Sequence, residues 1–280
     1  MFWIWFLICL AAVAVLGAVL LFFVGRTLRY RCFSVSVPGL PAAFEGFRIA
    51  VISDLHDRRF GKKNRRLVDK VLNASPDLAV MAGDMHENPH PPKPFYDLIS
   101  GISARVPLTY TEGNHDLRHI SSPEYGAHME LIRACGAFVL NDCAFPVERN
   151  GSLLMIYGIS WKNSREGRAP AIDPSCPSVL VCHDPMAFDR LDPLPDLMIS
   201  GHVHGGILRL PGIGPVFAPG DGAPLSKRFA RRFFFPKYSR GLYFKGKRTL
   251  AVTQGLGFSI LPIRFIPPEV MILSLKCSEK

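Results

Sequence analysis

Five short stretches of the chain carry side chains that can hold metal: Asp54-Leu55-His56, Gly83-Asp84, Gly113-Asn114-His115-Asp116, His183, and Gly201-His202-Val203-His204. Their donors are carboxylate oxygen, amide oxygen and imidazole nitrogen. That set suits Mn, Fe, Zn or Co and lacks the thiolates of a structural zinc site. A single histidine behind an apolar run is ordinarily structural or solvated. Here five of the nine histidines fall in such motifs, beside three aspartates and an asparagine. Residues two apart on a strand face the same way, so His202 and His204 can serve adjacent ions if the backbone is extended there.

Each motif follows a short apolar run: Ile49 to Ile52, Leu78 to Met81, Val106 to Tyr110, Val179 to Val181, and Leu197 to Ile199. Short runs rich in β-branched residues read as buried strands. The donors therefore sit just past the C-terminal ends of five strands, the edge at which α/β folds build sites. Between them, helical spacing predicts helices at Lys62 to Asn73, Pro94 to Ala104 and Ser122 to Ala134, the last two with proline near the start. Beyond residue 137 the pattern becomes strand-rich. Phe138 to Asn141, Phe145 to Arg149 and Leu153 to Ile159 are strand-like, with Asn150-Gly151 as a hairpin turn. Further strands are expected at Ser178 to His183, Leu197 to Ser200, Ile207 to Leu210, Gly241 to Phe244, Leu250 to Thr253 and Val270 to Leu275. The change from alternating strand and helix to strand alone suggests two sheets packed face to face with helices outside.

The chain has 280 residues, 48% of them hydrophobic, and a formal charge of +10. That size suits one globular domain and a terminal segment, and the charge favours anionic partners. Seven cysteines, an odd number without a CxxC, argue against a disulfide framework and for a reducing compartment. Cys182, beside His183, reads as a small buried strand residue. Phe2 to Val24 carries no charged side chain and no proline. As a helix it spans about 34 Å, enough to cross the hydrocarbon of a bilayer. No Lys or Arg precedes it, and Arg26, Arg29 and Arg31 follow at once. A retained, single-pass anchor in the inner (cytoplasmic) membrane is expected, with the domain on the cytoplasmic side. The expected organisation is an anchor over 1–25, a juxtamembrane linker and first strand over 26–46, and the catalytic domain over 47–280.

The five motifs, in this order, resemble the calcineurin-like metallophosphoesterase superfamily across about residues 47 to 275. Gly205-Gly206 and the tail from Gly255 through Pro262-Ile263-Arg264 to Glu269 narrow the resemblance to its membrane-associated bacterial YkuE/YaeI/LpxG-like branch. The resemblance implies an α/β fold, a four-layer α/β/β/α sandwich. It also implies two divalent ions that clamp a phosphoryl group. By the same resemblance Asp84 bridges them, one ion taking Asp54, His56, Asp84 and His204, the other Asp84, Asn114, His183 and His202. Manganese is favoured by the resemblance. His115 faces the phosphate or protonates the leaving group, and Asp116 is placed to orient its imidazole. His86 and Glu87 stand where the branch carries an apolar residue and an aspartate, and Ile207 where it carries glutamine. His86, His90, His119 and His128 read as surface or loop residues.

Lys227 to Arg240 interleaves basic and aromatic residues, including Arg228, Arg231, Arg232, Phe233, Phe234 and Phe235. Such a segment suits contact with a membrane and a lipid substrate; the alternative is buried phenylalanines under a solvated basic face. Nucleic acid fits a tethered domain less well. The expected activity is hydrolysis of a phosphodiester or pyrophosphate bond in a phosphorylated lipid or nucleotide-lipid. UDP-2,3-diacylglucosamine of lipid A synthesis is one such substrate. The alternatives are a YkuE-type cell-envelope phosphodiesterase and a non-catalytic membrane scaffold.

Overall fold

A computed structural model of the protein describes residues 1–87, 93–119, 124–206, 208–210, 214–217, 236–257 and 266–278. The chain opens with α1 (Phe2–Arg26) and β1 (Arg29–Val37). The strand–helix half follows: β2 (Arg48–Ile52), α2 (Arg65–Leu72), β3 (Leu78–Ala82), α3 (Lys93–Ser103), β4 (Leu108–Thr111), α4 (Glu124–Ala134) and β5 (Ala137–Val139). Then come β6 (Ala144–Arg149), β7 (Ser152–Gly158), α5 (Trp161–Glu166), β8 (Ser178–Val181) and β9 (Leu197–Ser200). A small hairpin, β10 (Leu208–Leu210) and β11 (Gly214–Phe217), precedes β12 (Gly241–Lys245), β13 (Arg248–Val252) and β14 (Glu269–Cys277).

Two six-stranded sheets result, ordered β1-β14-β2-β3-β4-β5 and β12-β13-β9-β8-β7-β6. The alternation of side chains along each strand assigns the layers. Ile49 and Val51 of β2 face inward with Val80 of β3, meeting Ile156, Val179, Val181 and Ile199 of the second sheet. Ala50, Ile52, Ala79 and Met81 face outward against Leu67 and Val71 of α2, Phe95, Leu98 and Ile102 of α3, and Ile132 of α4. The outer face of the second sheet is covered more thinly. Leu180, Met198, Leu250 and Val252 pack under Ala187, Phe188 and Leu191, which belong to a short 3-10 helix at Pro185–Asp189 and the residues after it. These mixed sheets with outer helices agree with the expected metallophosphoesterase fold.

Some local expectations change. Residues 62–64 form a 3-10 turn in which Lys63 and Asn64 adopt left-handed backbone, so α2 starts only at Arg65. Asn64 Oδ1 accepts the Phe60 N–H at 2.8 Å and fixes that bend. The hairpin at Asn150-Gly151 forms with both residues at positive φ, 50° and 73°. β1 pairs along all nine residues with β14, so the first sheet reaches back before residue 47. The strand expected at Ile207 to Leu210 appears as β10; its partner β11 and the short helix α5 were not foreseen. Ser122 and Pro123, expected to start α4, lie outside the described residues, as do His90 and Ile207.

Candidate metal centre

The strands β2, β3, β4, β8 and β9 all end at one edge, and the five motifs follow them there. Three groups of donors converge. Asp54, His56 and His204 offer ligand atoms within 4.8 Å of one another, as do His56, Asp84 and His115, and Asp84, His183 and His202. Asp84 belongs to two of the groups. His56 Nε2 and His204 Nε2 stand 3.1 Å apart with their rings stacked, and His204 Nε2 lies 3.4 Å from Asp54 Oδ1. His183 Nε2 lies 2.9 Å from Asp84 Oδ2.

Local backbone makes this convergence possible. Asp54, His56, Asp84, His202 and His204 all have positive φ, between 47° and 73°. Left-handed backbone is uncommon outside glycine and clusters at functional sites. The extended backbone on which the His202-Val203-His204 spacing argument is conditioned is therefore not met. The segment turns tightly, with Val203 N–H bonded to Gly201 O and Gly206 N–H to Val203 O. The turns are tied together by the candidate ligands themselves. Asp54 Oδ1 accepts the His202 N–H at 3.0 Å, and Asp84 Oδ1 accepts the His115 N–H at 2.8 Å. A Cβ at Gly113 would stand 2.2 Å from Asp84 Oδ1, so only glycine lets that loop approach the carboxylate.

Asp116 has a different place from the one expected. Its carboxylate accepts the N–H groups of Asp84 at 2.8 Å, Gly113 at 2.8 Å and Met85 at 3.1 Å. It is fully buried and clamps the loop after β3 to the loop after β4. The His115 ring instead meets Glu87, whose Oε2 lies 2.8 Å from His115 Nδ1. The other Glu87 oxygen bonds His56 Nδ1. One carboxylate thus fixes two imidazoles and leaves each Nε2 toward the pocket. His86 and His128, read from sequence as surface or loop residues, are buried. Their Nε2 atoms lie 2.9 Å apart, and His128 Nδ1 shares a hydrogen bond with Tyr96 Oη at 2.7 Å. Trp161 was also missed; its ring lies 5.0 Å from His202 and 5.8 Å from His183.

The electrostatics favour added positive charge. Burial opposes the imidazolium of His183, yet Asp84 and Asp54 shift its pKa upward. His56 is raised too, against burial, by Glu87, Asp84 and Asp54. Burial would raise the Asp84 and Glu87 carboxyls, but the neighbouring imidazoles hold both below their usual range. A pocket that pulls protons onto its histidines has an excess of carboxylate. Divalent cations would relieve it. Two donor atoms are set for that. Asn114 Oδ1 is buried and accepts no hydrogen bond. His183 donates from Nδ1 to Ala82 O at 2.7 Å, and its Nε2, though close to Asp84, is off the line of a hydrogen bond. The residues present therefore fit divalent metal. Cys182 does not join them, since its buried thiol faces Asp184 O and burial pushes its pKa up. Arg228, Arg231, Arg232 and Phe233 to Phe235 lie outside the described residues.

Comparison with known proteins agrees with this geometry. The profile of the calcineurin-like phosphoesterase family matches residues 47–206. The chain is 28% identical over 250 residues to the metallophosphoesterase YkuE of Bacillus subtilis, covering 85% of this chain and 82% of that protein. It is 28% identical over 238 residues to the phosphodiesterase YaeI of Escherichia coli, covering 82% of each. A zebrafish transmembrane protein with a metallophosphoesterase domain is 25% identical over 251 residues, 82% of this chain and 53% of that one. With the family match spanning more than half of the chain, over the motifs that build the pocket, the protein belongs to the calcineurin-like phosphoesterases and is a metal-dependent phosphoester hydrolase.

Proposed function

We propose that the protein is a membrane-anchored, dinuclear-metal phosphoesterase that cleaves a phosphodiester or pyrophosphate bond in an amphipathic substrate. The observation that carries this reading is the convergence of Asp54, His56, Asp84, His183, His202 and His204 in one pocket of a chain that begins with a 25-residue apolar helix. Asp54, His56, Asp84 and His204 would hold one ion, and Asp84, Asn114, His183 and His202 the other, with manganese favoured over Fe, Zn or Co. When bound, the pair supplies charge neutralisation and an activated water. His115, held at Nδ1 by Glu87, presents Nε2 to the pocket and delivers a proton to the departing oxygen. Asp116 acts by holding the loops that carry Asp84 and Asn114.

The name of YaeI supports a diester substrate. A membrane helix with basic residues on its trailing side supports a lipid on the cytoplasmic face, and UDP-2,3-diacylglucosamine is the sharpest candidate of that kind. A YkuE-type cell-envelope phosphodiesterase is the second reading. Purified full-length protein with manganese, offered bis-p-nitrophenyl phosphate, DNA and UDP-2,3-diacylglucosamine, separates them. The proposal expects hydrolysis of the first and last but not of DNA. Cleavage of the small diester alone would remove the lipid A assignment, and no turnover of any of the three would contradict the diester or pyrophosphate reading.

A further inference from the structure

The anchor helix and the metal-binding loops meet at one edge of the first sheet. β1 begins just after α1 and runs parallel to β14, with Arg29 opposite Glu269. β14 runs antiparallel to β2, with Met271 opposite Val51. The start of β1 therefore lies at the C-terminal edge of β2, the edge that leads into Asp54 and His56. The junction there is packed. Arg58, two positions beyond His56, donates to Gly25 O at the end of α1 and to Leu256 O at 2.7 Å. Leu28 packs against the core under α2. Tyr30 Oη donates to Lys70 O at 2.5 Å, and the Lys70 ammonium sits 3.7 Å from the Tyr30 ring centroid. Along α1 itself only Gly25 is buried.

Beside this junction runs Arg58-Arg59-Phe60-Gly61-Lys62-Lys63-Asn64-Arg65-Arg66, which contains no acidic residue. Arg59, Lys62, Lys63, Arg65 and Arg66 are exposed. Asp69, itself exposed, stands 3.7 Å from Arg65 Nε and offsets little of that charge. A run of cations is most often a plain solvated face. This one abuts the exposed end of an apolar helix whose own flanking residues, Arg26 and Arg29, are exposed cations as well. Basic segments next to a membrane helix are drawn to anionic headgroups, and the attraction fades within a Debye length.

We propose that the 58–66 segment is a docking face for anionic lipid headgroups, seating the rim of the metal centre on the bilayer that α1 enters. The inference rests on reading α1 as a membrane span. Arg58 is the strut: it ties the loop that carries His56 to the end of the helix, so the helix sets the height of the pocket above the lipid. A phosphoester in the headgroup layer of the same membrane would then reach the pocket without leaving the bilayer.

Amine-reactive footprinting tests this without any substrate. Full-length protein is placed in nanodiscs of phosphatidylcholine alone, or of two parts phosphatidylcholine to one part phosphatidylglycerol, and acylation of each lysine is read by mass spectrometry. Lys62 and Lys63 should react roughly fivefold more slowly in the anionic discs. The difference should vanish in 1 M salt, where the Debye length is about 3 Å. Lys245 and Lys247, at the β12–β13 turn on the opposite edge, should react alike in both. Equal reactivity of Lys62 and Lys63 in the two discs, or protection that survives high salt, overturns the docking face alone. Protection by DNA in uncharged micelles, without protection in anionic discs, overturns it in favour of nucleic acid. Failure of the protein to enter discs through α1 overturns the membrane reading as well.

Discussion

At the scale of single residues, the donors were legible because each stands directly behind a strand, where type and order can be read without knowing the backbone. What those donors lean on was not legible. Glu87 holds both His56 and His115, although its position in the sequence says only that it follows Asp84. Asp116 was assigned to the wrong neighbour, since adjacency to His115 in the chain hides a carboxylate turned to the backbone of residues 84, 85 and 113. Two predictions belong here. His115→Ala should keep its metal and lose about 10²- to 10⁴-fold in kcat, the usual contribution of a general acid. Elemental analysis beside a diesterase assay checks this, and loss of an ion would make His115 a ligand. The second concerns pH. In the metal-free pocket the raised pKa of His183 keeps it protonated at neutral pH, so an arriving ion must displace a proton. Apparent metal affinity should therefore rise with pH and fall as the solution is acidified. Calorimetry in two buffers of different ionisation enthalpy should show proton release at pH 7; binding with no proton release would contradict the account.

At the scale of elements, most strands were legible from apolar runs, and the hairpin at Asn150-Gly151 from its turn residues. Pairings distant in sequence were not. The parallel match of β1 to β14 joins the two ends of the chain, and no local pattern announces it. Nor does any apolar period reveal that His202 and His204 converge through left-handed turns rather than along a strand. The loops after β3 and β4 act as one element because Asp116 binds both. Asp116→Ala leaves four N–H groups, those of Asp84, Met85, His86 and Gly113, without their charged acceptor. It should cost roughly 2–4 kcal/mol of stability. Urea unfolding followed by circular dichroism reads this directly. The variant should also lose metal, in contrast to His115→Ala. Unchanged stability with lost turnover would restore a direct catalytic part to Asp116.

At the scale of the whole molecule, two sheets bring five strand ends to one edge, and the apolar helix joins the domain at that same edge. Arg26, Arg29 and Arg31 follow the helix directly. The domain should thus face the cytoplasm. A C-terminal alkaline phosphatase fusion should be inactive and a fluorescent protein fusion bright; the opposite pattern would place the domain outside and exclude nucleotide-linked lipids. One carboxylate, Asp84, is proposed to serve two ions that carry the hydrolysis. Metal content and bis-p-nitrophenyl phosphate turnover, measured together on the wild type and Asp84→Asn, test it most directly. The wild type should hold two divalent ions and turn over the diester, with both sharply reduced in the variant. Near-normal turnover with two ions still bound to Asp84→Asn would contradict it.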